Sequence, residues 1–147
     1  MTPSSKCSAL VEKSEGDVLK AYPDPATGGA PWTIGYGHTG PEVHPGMRIT
    51  QQEADAYLEQ DLCRVGQQIS KVVHVELSQD EFDALVCFVY NIGIGNFMNS
   101  TMLRLLNMGK FDEASNEFEK WTKGAGKVMP GLVARRQEEK DLFNASV

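Results

Sequence analysis

Five of the nine residues at positions 23–31 are proline or glycine: Pro23, Pro25, Gly28, Gly29 and Pro31. Proline fixes φ and withholds an N–H, and glycine is the residue most costly to order. No helix or ladder strand can cross such a segment, so it is a loop, and it separates two short extended runs. Residues 18–22 (VLKAY) read as one strand. Residues 32–37 (WTIGYG) read as another, with Trp32, Ile34 and Tyr36 on one face and Thr33, Gly35 and Gly37 on the other. Residues 38–49 contain Gly40, Pro41, Pro45 and Gly46 and read as loop with room for one short edge strand.

The flanking pattern is helical. Ser5 can cap a first helix ending near Gly16, with Cys7, Leu10 and Val11 spaced i, i+3, i+4. After residue 50 the helical period never stops. Thr50 with Glu53, and Ser78 with Glu81, have the spacing of capping boxes. The first opens a long helix with Ala54, Tyr57, Leu58, Leu62, Val65, Ile69 and Val72 in one stripe. The second opens a more apolar helix carrying Phe82, Leu85, Val86, Phe88 and Val89, expected to form the core. Further helices are expected from Thr101 to a stop at Gly109, from about Asp112 to near Gly124, and from about Gly131 to Asn144. The fold class expected is α+β, mainly α: one domain of 147 residues with a small antiparallel strand-rich lobe at about 16–50. A helical lobe at about 51–147 joins it through the long helix and takes in the N-terminal helix. A cleft between two such lobes is a natural substrate site.

Composition narrows the function. Hydrophobic content of 41% and charged content of 23% are values of a folded globular chain. No apolar run nears the roughly 18 residues of a membrane span, and the N-terminus has no signal-peptide core, so synthesis and folding in the cytoplasm are expected. Three widely spaced cysteines do not make a disulfide framework. Cys63 and Cys87 are expected buried and Cys7 more accessible. No ligand spacing among Cys7, Cys63, Cys87, His38, His44 and His74 supports a metal, and no cofactor is expected. The net charge of −6 disfavours nucleic acid. Residues 120–136 nevertheless hold Lys120, Lys123, Lys127, Arg135 and Arg136 with no acid between them. That run is either a solvated face or a positive patch for an anionic polymer.

The chemistry concentrates in residues 15–40. Glu15 falls in the last turn of the first helix, where the negative end of the helix dipole disfavours a carboxylate and so favours an acid that gives up its proton late. Asp24 is confined between Pro23 and Pro25, and could orient a water or serve only as a turn residue. Thr33 puts a hydroxyl on a strand face otherwise made of glycines, which leave room for a substrate or another backbone. Two carboxylates on separate elements with a hydroxyl nearby suit glycosidic bond cleavage. His38 is expected to pair with Asp61 of the long helix. Trp32 and Trp121 are expected in the core rather than as sugar platforms.

Glu15-Gly16, LKAYPD and WTIGYGHTG, followed by VELSQDEFDALVCFVYNIG, STMLRLLN, FDEASNEFEKW and GLVARRQEEKDLF, resemble the phage-type lysozymes, the endolysins of glycoside hydrolase family 24. The resemblance covers nearly the whole chain. It implies hydrolysis of the β-1,4 bond between N-acetylmuramic acid and N-acetylglucosamine in bacterial peptidoglycan, leading to host cell lysis. It assigns the catalytic roles to Glu15 as acid and to Asp24 with Thr33 as the groups that position water, with inversion at the anomeric carbon. It offers Gly37, Asn91, Asn96 and Arg136 as substrate contacts. A monomer is the default expectation, and without an export signal the protein is expected to stay in the host cytoplasm until a separate holin-type protein opens a hole to the wall. The 24–33 loop is longer than in the most compact members of that family. A lytic transglycosylase would need only one acid, and a wall-binding protein without catalysis would need neither; Asp24 and Thr33 beside Glu15 argue against both.

Overall fold

The computed structural model describes residues 1–124 and 126–145. Helix α1 (Ser5–Ser14) leads into β1 (Val18–Tyr22), β2 (Thr33–Gly35) and β3 (His38–Thr39), and then α2 (Gln51–Val72) and α3 (Gln79–Ile92). The short helices α4 (Ile94–Met98), α5 (Thr101–Asn107) and α6 (Phe111–Asn116) follow, with a 3-10 turn at Glu117–Lys120. A hairpin of β4 (Lys123–Gly124) and β5 (Lys127–Val128) precedes α7 (Pro130–Phe143). The chain is mainly α with a small antiparallel sheet, as expected. It divides into two compact units, residues 8–61 and residues 1–7 with 62–147. Among the described residues no helix is long and apolar enough to cross a membrane.

In the 8–61 unit the sheet runs β1-β2-β3, all antiparallel. Tyr22 pairs with Thr33, and Ile34 with His38. The strand expected at 32–37 stops at Gly35. Gly35 has φ +64 and Gly37 φ +92, values that L side chains rarely adopt, so the chain turns there and His38 begins a separate strand. On the far side of β1, Arg48 bridges Lys20 and Ile49 N–H donates to the Leu19 carbonyl at 2.9 Å. Ala21, Ile34, Val43, Ile49 and Ala54 make the buried core here, with Trp32 and Tyr57 packed on it. The bare face of Gly35 is filled by helix α2: a Cβ there would lie 3.4 Å from that of Ala54. The expected Thr50–Glu53 box forms, each residue taking the other's backbone N–H at 3.1 Å.

In the other unit α3 is the core. Its eight residues from Phe82 to Val89 are all buried, and each large apolar side chain so buried contributes about 1.5–3 kcal/mol. The Ser78–Glu81 capping box forms, with Glu81 receiving the Ser78 N–H at 2.7 Å. Phe88 meets Phe118 edge-on at 5.0 Å, and Phe118 meets Phe143 at 5.7 Å. Three expectations are corrected. Helix α1 is capped by Ser4, not Ser5: the Ser4 hydroxyl accepts Lys6 N–H and donates to the buried Asp83. Cys7 is fully buried while Cys63 is half-buried, the reverse of their expected exposure; burial, then the charge of Asp83, pushes the Cys7 thiol up to about 12. The helix expected to run from Asp112 to Gly124 ends at Asn116, and the chain leaves its 3-10 turn at Trp121 to form the hairpin.

Candidate active site

Glu15 sits at the end of α1. Its N–H donates to the Val11 carbonyl at 2.8 Å, which continues the last turn and fixes the backbone three residues before β1 begins. The side chain is half-buried.

Asp24 opens the loop between β1 and β2. Its Oδ1 accepts Ala26 N–H at 2.8 Å, its carbonyl accepts Gly28 N–H at 2.8 Å, and its own N–H donates to the Gly29 carbonyl at 2.9 Å. Thr27 adds a bond from its hydroxyl to the Ala30 carbonyl at 2.9 Å. The proline- and glycine-rich loop is thus a folded turn built on Asp24, and its prolines limit how far the carboxylate can move. Thr33 begins β2 on the far side of that turn. Its neighbour Ile34 is buried in the core, and alternation sends the Thr33 hydroxyl to the opposite face. Glu15, Asp24 and Thr33 therefore all belong to the 8–61 unit: Glu15 precedes β1, and Asp24 and Thr33 flank the turn that joins β1 to β2.

Gly37 lies in the same unit, in the turn before His38. The His38 ring, 8% exposed, is fully engaged. Nδ1 meets Asp61 Oδ2 at 2.7 Å as expected, Nε2 meets Glu42 Oε1 at 2.5 Å, and Tyr57 stacks on it at 4.1 Å. The hydrogen bond from His38 is the main cause holding the Glu42 carboxyl below its usual value. Sequence reasoning missed Glu42, four residues after His38, because the loop between them carries no periodic signal.

Asn91, Asn96 and Arg136 belong to the other unit, where they line one pocket of about 390 Å3 with Trp121, Lys123 and Leu132. Arg136, though, is only 2% exposed. Its guanidinium bonds Asn91 Oδ1, the Trp121 carbonyl at 2.9 Å and Glu139 Oε1 at 2.6 Å, and lies 5.0 Å from the Phe88 ring centre. These bonds hold the pocket wall. Asn96 donates to the Ile92 carbonyl at 2.8 Å. Trp121 meets Phe88 edge-on at 5.9 Å and is only half-buried. Glu139, also missed in the sequence, takes Arg135 Nε as well; its spacing of three and four residues from the two arginines is the signal that could have found it.

The basic run is less cationic than its composition. Arg135 and Arg136 are buried on Glu139, and Lys120 meets Glu117 at 2.5 Å. Lys123 and Lys127 are exposed on the hairpin.

Comparison with known proteins agrees with this architecture. The family model described as phage lysozyme matches residues 12–139. The endolysin of Bacillus phage B103 is 44% identical over 134 residues, covering 91% of this chain and 51% of its own length. This chain thus spans about half the length of that relative and of the similar endolysin of Bacillus phage PZA. The endolysin of Salmonella phage P22 is 41% identical, with 97% of this chain and 98% of the relative covered. Among solved structures, the muramidase domain of SpmX from Asticaccaulis excentricus superposes with a TM-score of 0.87 at 38% identity, covering 96% of each chain. By sequence and by fold, the chain belongs to the phage lysozyme family.

Proposed function

We propose that this protein is a muramidase of the endolysin type. It hydrolyses the β-1,4 bond between N-acetylmuramic acid and N-acetylglucosamine of bacterial peptidoglycan. Glu15 protonates the leaving oxygen, and Asp24 and Thr33 hold the attacking water, which enters from the opposite face and inverts the anomeric carbon. Gly37, Asn91 and Asn96 contribute to sugar binding, and Arg136 acts by holding Asn91. The observation that carries the reading is the β1–β2 hairpin. It suspends Asp24 and Thr33 from one folded turn and follows Glu15 by three residues. The names of relatives, an endolysin and a muramidase domain, support the substrate. In the cell the enzyme works as a monomer on the wall after a holin-type protein opens the membrane.

The test is mass spectrometry of products from purified peptidoglycan. Hydrated, reducing N-acetylmuramic acid ends are expected. Anhydro ends would instead make this a lytic transglycosylase. Glu15→Gln should abolish cleavage without unfolding the protein. Asp24→Asn separates charge from fold, because an amide oxygen can still accept Ala26 N–H; a large loss of activity with an unchanged melting temperature is expected. Full activity in either variant refutes the assigned roles.

A further inference from the structure

The turn that carries Asp24 is braced by a side chain to which the proposed reaction gives no role. Thr27 lies midway along it, and its hydroxyl is bonded in both directions. It donates to the Ala30 carbonyl at 2.9 Å and accepts Gly29 N–H at 3.2 Å. Gly29 is also the residue that holds Asp24, because its carbonyl accepts Asp24 N–H at 2.9 Å. On the other side, Thr27 N–H and Gly28 N–H both donate to the Asp24 carbonyl, at 3.2 and 2.8 Å. Thr27 is thus tied by its backbone to Asp24 and by its hydroxyl to the residue paired with Asp24. The adjacent Gly28, at φ +72, and Gly29 would otherwise give this segment many backbone states. The carboxylate itself is held at one oxygen. Oδ1 accepts Ala26 N–H at 2.8 Å, and among the described residues Oδ2 accepts no hydrogen bond. The direction in which Oδ2 can receive a water is therefore set by the turn.

We infer that Thr27 is a positioning residue for the water step: its hydroxyl locks the 24–30 turn, and the locked turn aims Asp24 Oδ2 at the attacking water. This rests on the reading of Asp24 as a group that holds that water. In the step, the water oxygen bonds the anomeric carbon, its proton passes to Asp24, and the glycosidic oxygen leaves with the Glu15 proton. Thr27 exchanges no proton and touches none of the reacting atoms. It raises the fraction of time that Asp24 is in line, which enters the barrier and leaves the sugar contacts alone.

Thr27→Val keeps the shape of the side chain and removes its hydroxyl. Thr27 is exposed, so no buried group is orphaned and the melting temperature should change little. The expected result is a fall in kcat of about five- to tenfold, the order for one or two lost hydrogen bonds, with KM unchanged. Thr27→Ser, which keeps a hydroxyl, should restore most of the rate. In an Asp24→Asn background the same Thr27→Val change should cost less than about twofold, because a positioning residue acts only through the group it positions. An unchanged kcat in Thr27→Val, no recovery in Thr27→Ser, or a full loss added on top of Asp24→Asn overturns the inference. A second measurement reads the turn directly. By NMR relaxation, the backbone order parameters of residues 24–30 should fall in Thr27→Val and recover in Thr27→Ser; unaltered order in Thr27→Val also overturns it. The two ideas fail separately. Full activity in Asp24→Asn removes the reading of Asp24 itself, whereas an impaired Asp24→Asn beside a fully active Thr27→Val removes only Thr27.

Discussion

Replacing Glu139 with Gln should cost more stability than its change of one atom suggests. Glu139 is completely buried and receives three donors: Arg135 Nε at 3.1 Å and the Cys87 thiol at 3.2 Å on Oε2, and Arg136 Nη1 at 2.6 Å on Oε1. Glutamine offers one acceptor oxygen. If that oxygen takes the place of Oε2, the amide NH2 faces Arg136, donor against donor. If it takes the place of Oε1, the NH2 faces Arg135 and the thiol. Either way two guanidiniums, 6% and 2% exposed, lose the counter-charge of Glu139. Breaking a buried ion pair from one side costs about 3–5 kcal/mol. With a urea m-value of about 2 kcal/mol/M, the unfolding midpoint should fall by about 2 M. The exposed Lys140–Glu119 pair at 2.6 Å is the control. Lys140→Met should cost at most about 1 kcal/mol. The combined change Arg135→Met, Arg136→Met and Glu139→Leu should recover most of the loss, since an all-apolar replacement leaves no orphaned charge. A midpoint shift below about 0.5 M for Glu139→Gln, at unchanged m-value, refutes the reasoning.

Two further outcomes follow from the packing and the charges. Gly66→Ala gains helix propensity of about 1 kcal/mol, but its Cβ would lie 2.9 Å from Cζ of the buried Phe82 ring, and overpacking costs about 1–3 kcal/mol. A net loss of about 1 kcal/mol in urea unfolding is expected, and a stabilised variant would show that the ring yields freely. Glu42, held below its ordinary value of 4.5 by His38, contributes stability that is present above that value and lost as pH falls through the lower folded value. The stability gap between the unaltered protein and Glu42→Gln should therefore close on acidification below pH 4.5; a gap independent of pH would show that the contact is not ionic.

Much of the site is legible in the amino-acid sequence. The Glu15-Gly16 junction, the Asp24 turn and the Thr33 strand lie close along the chain, and each is made by local rules: a helix end, an Asx turn, strand alternation. The His38–Asp61 pair is legible because one buried acid in an apolar helical stripe needs a partner. Arg136 reads in sequence as a surface cation, but only the fold brings Asn91 and the Trp121 carbonyl to it, from 45 and 15 residues away.

Sequence alone determined the elements whose signals lie within one or two turns. These are the loop forced by Pro23 to Pro31, the capping boxes at Thr50 and Ser78, and the apolar face of α3. Tertiary structure decided what depends on distant neighbours: that Cys7 is buried and Cys63 half-buried, that Gly35 makes room for Ala54 of α2, and that three of the five cations in residues 120–136 are paired. The physical reason is range. Backbone dihedrals and caps are set by adjacent residues, whereas burial and ion pairing are set by which segments the folded chain brings together.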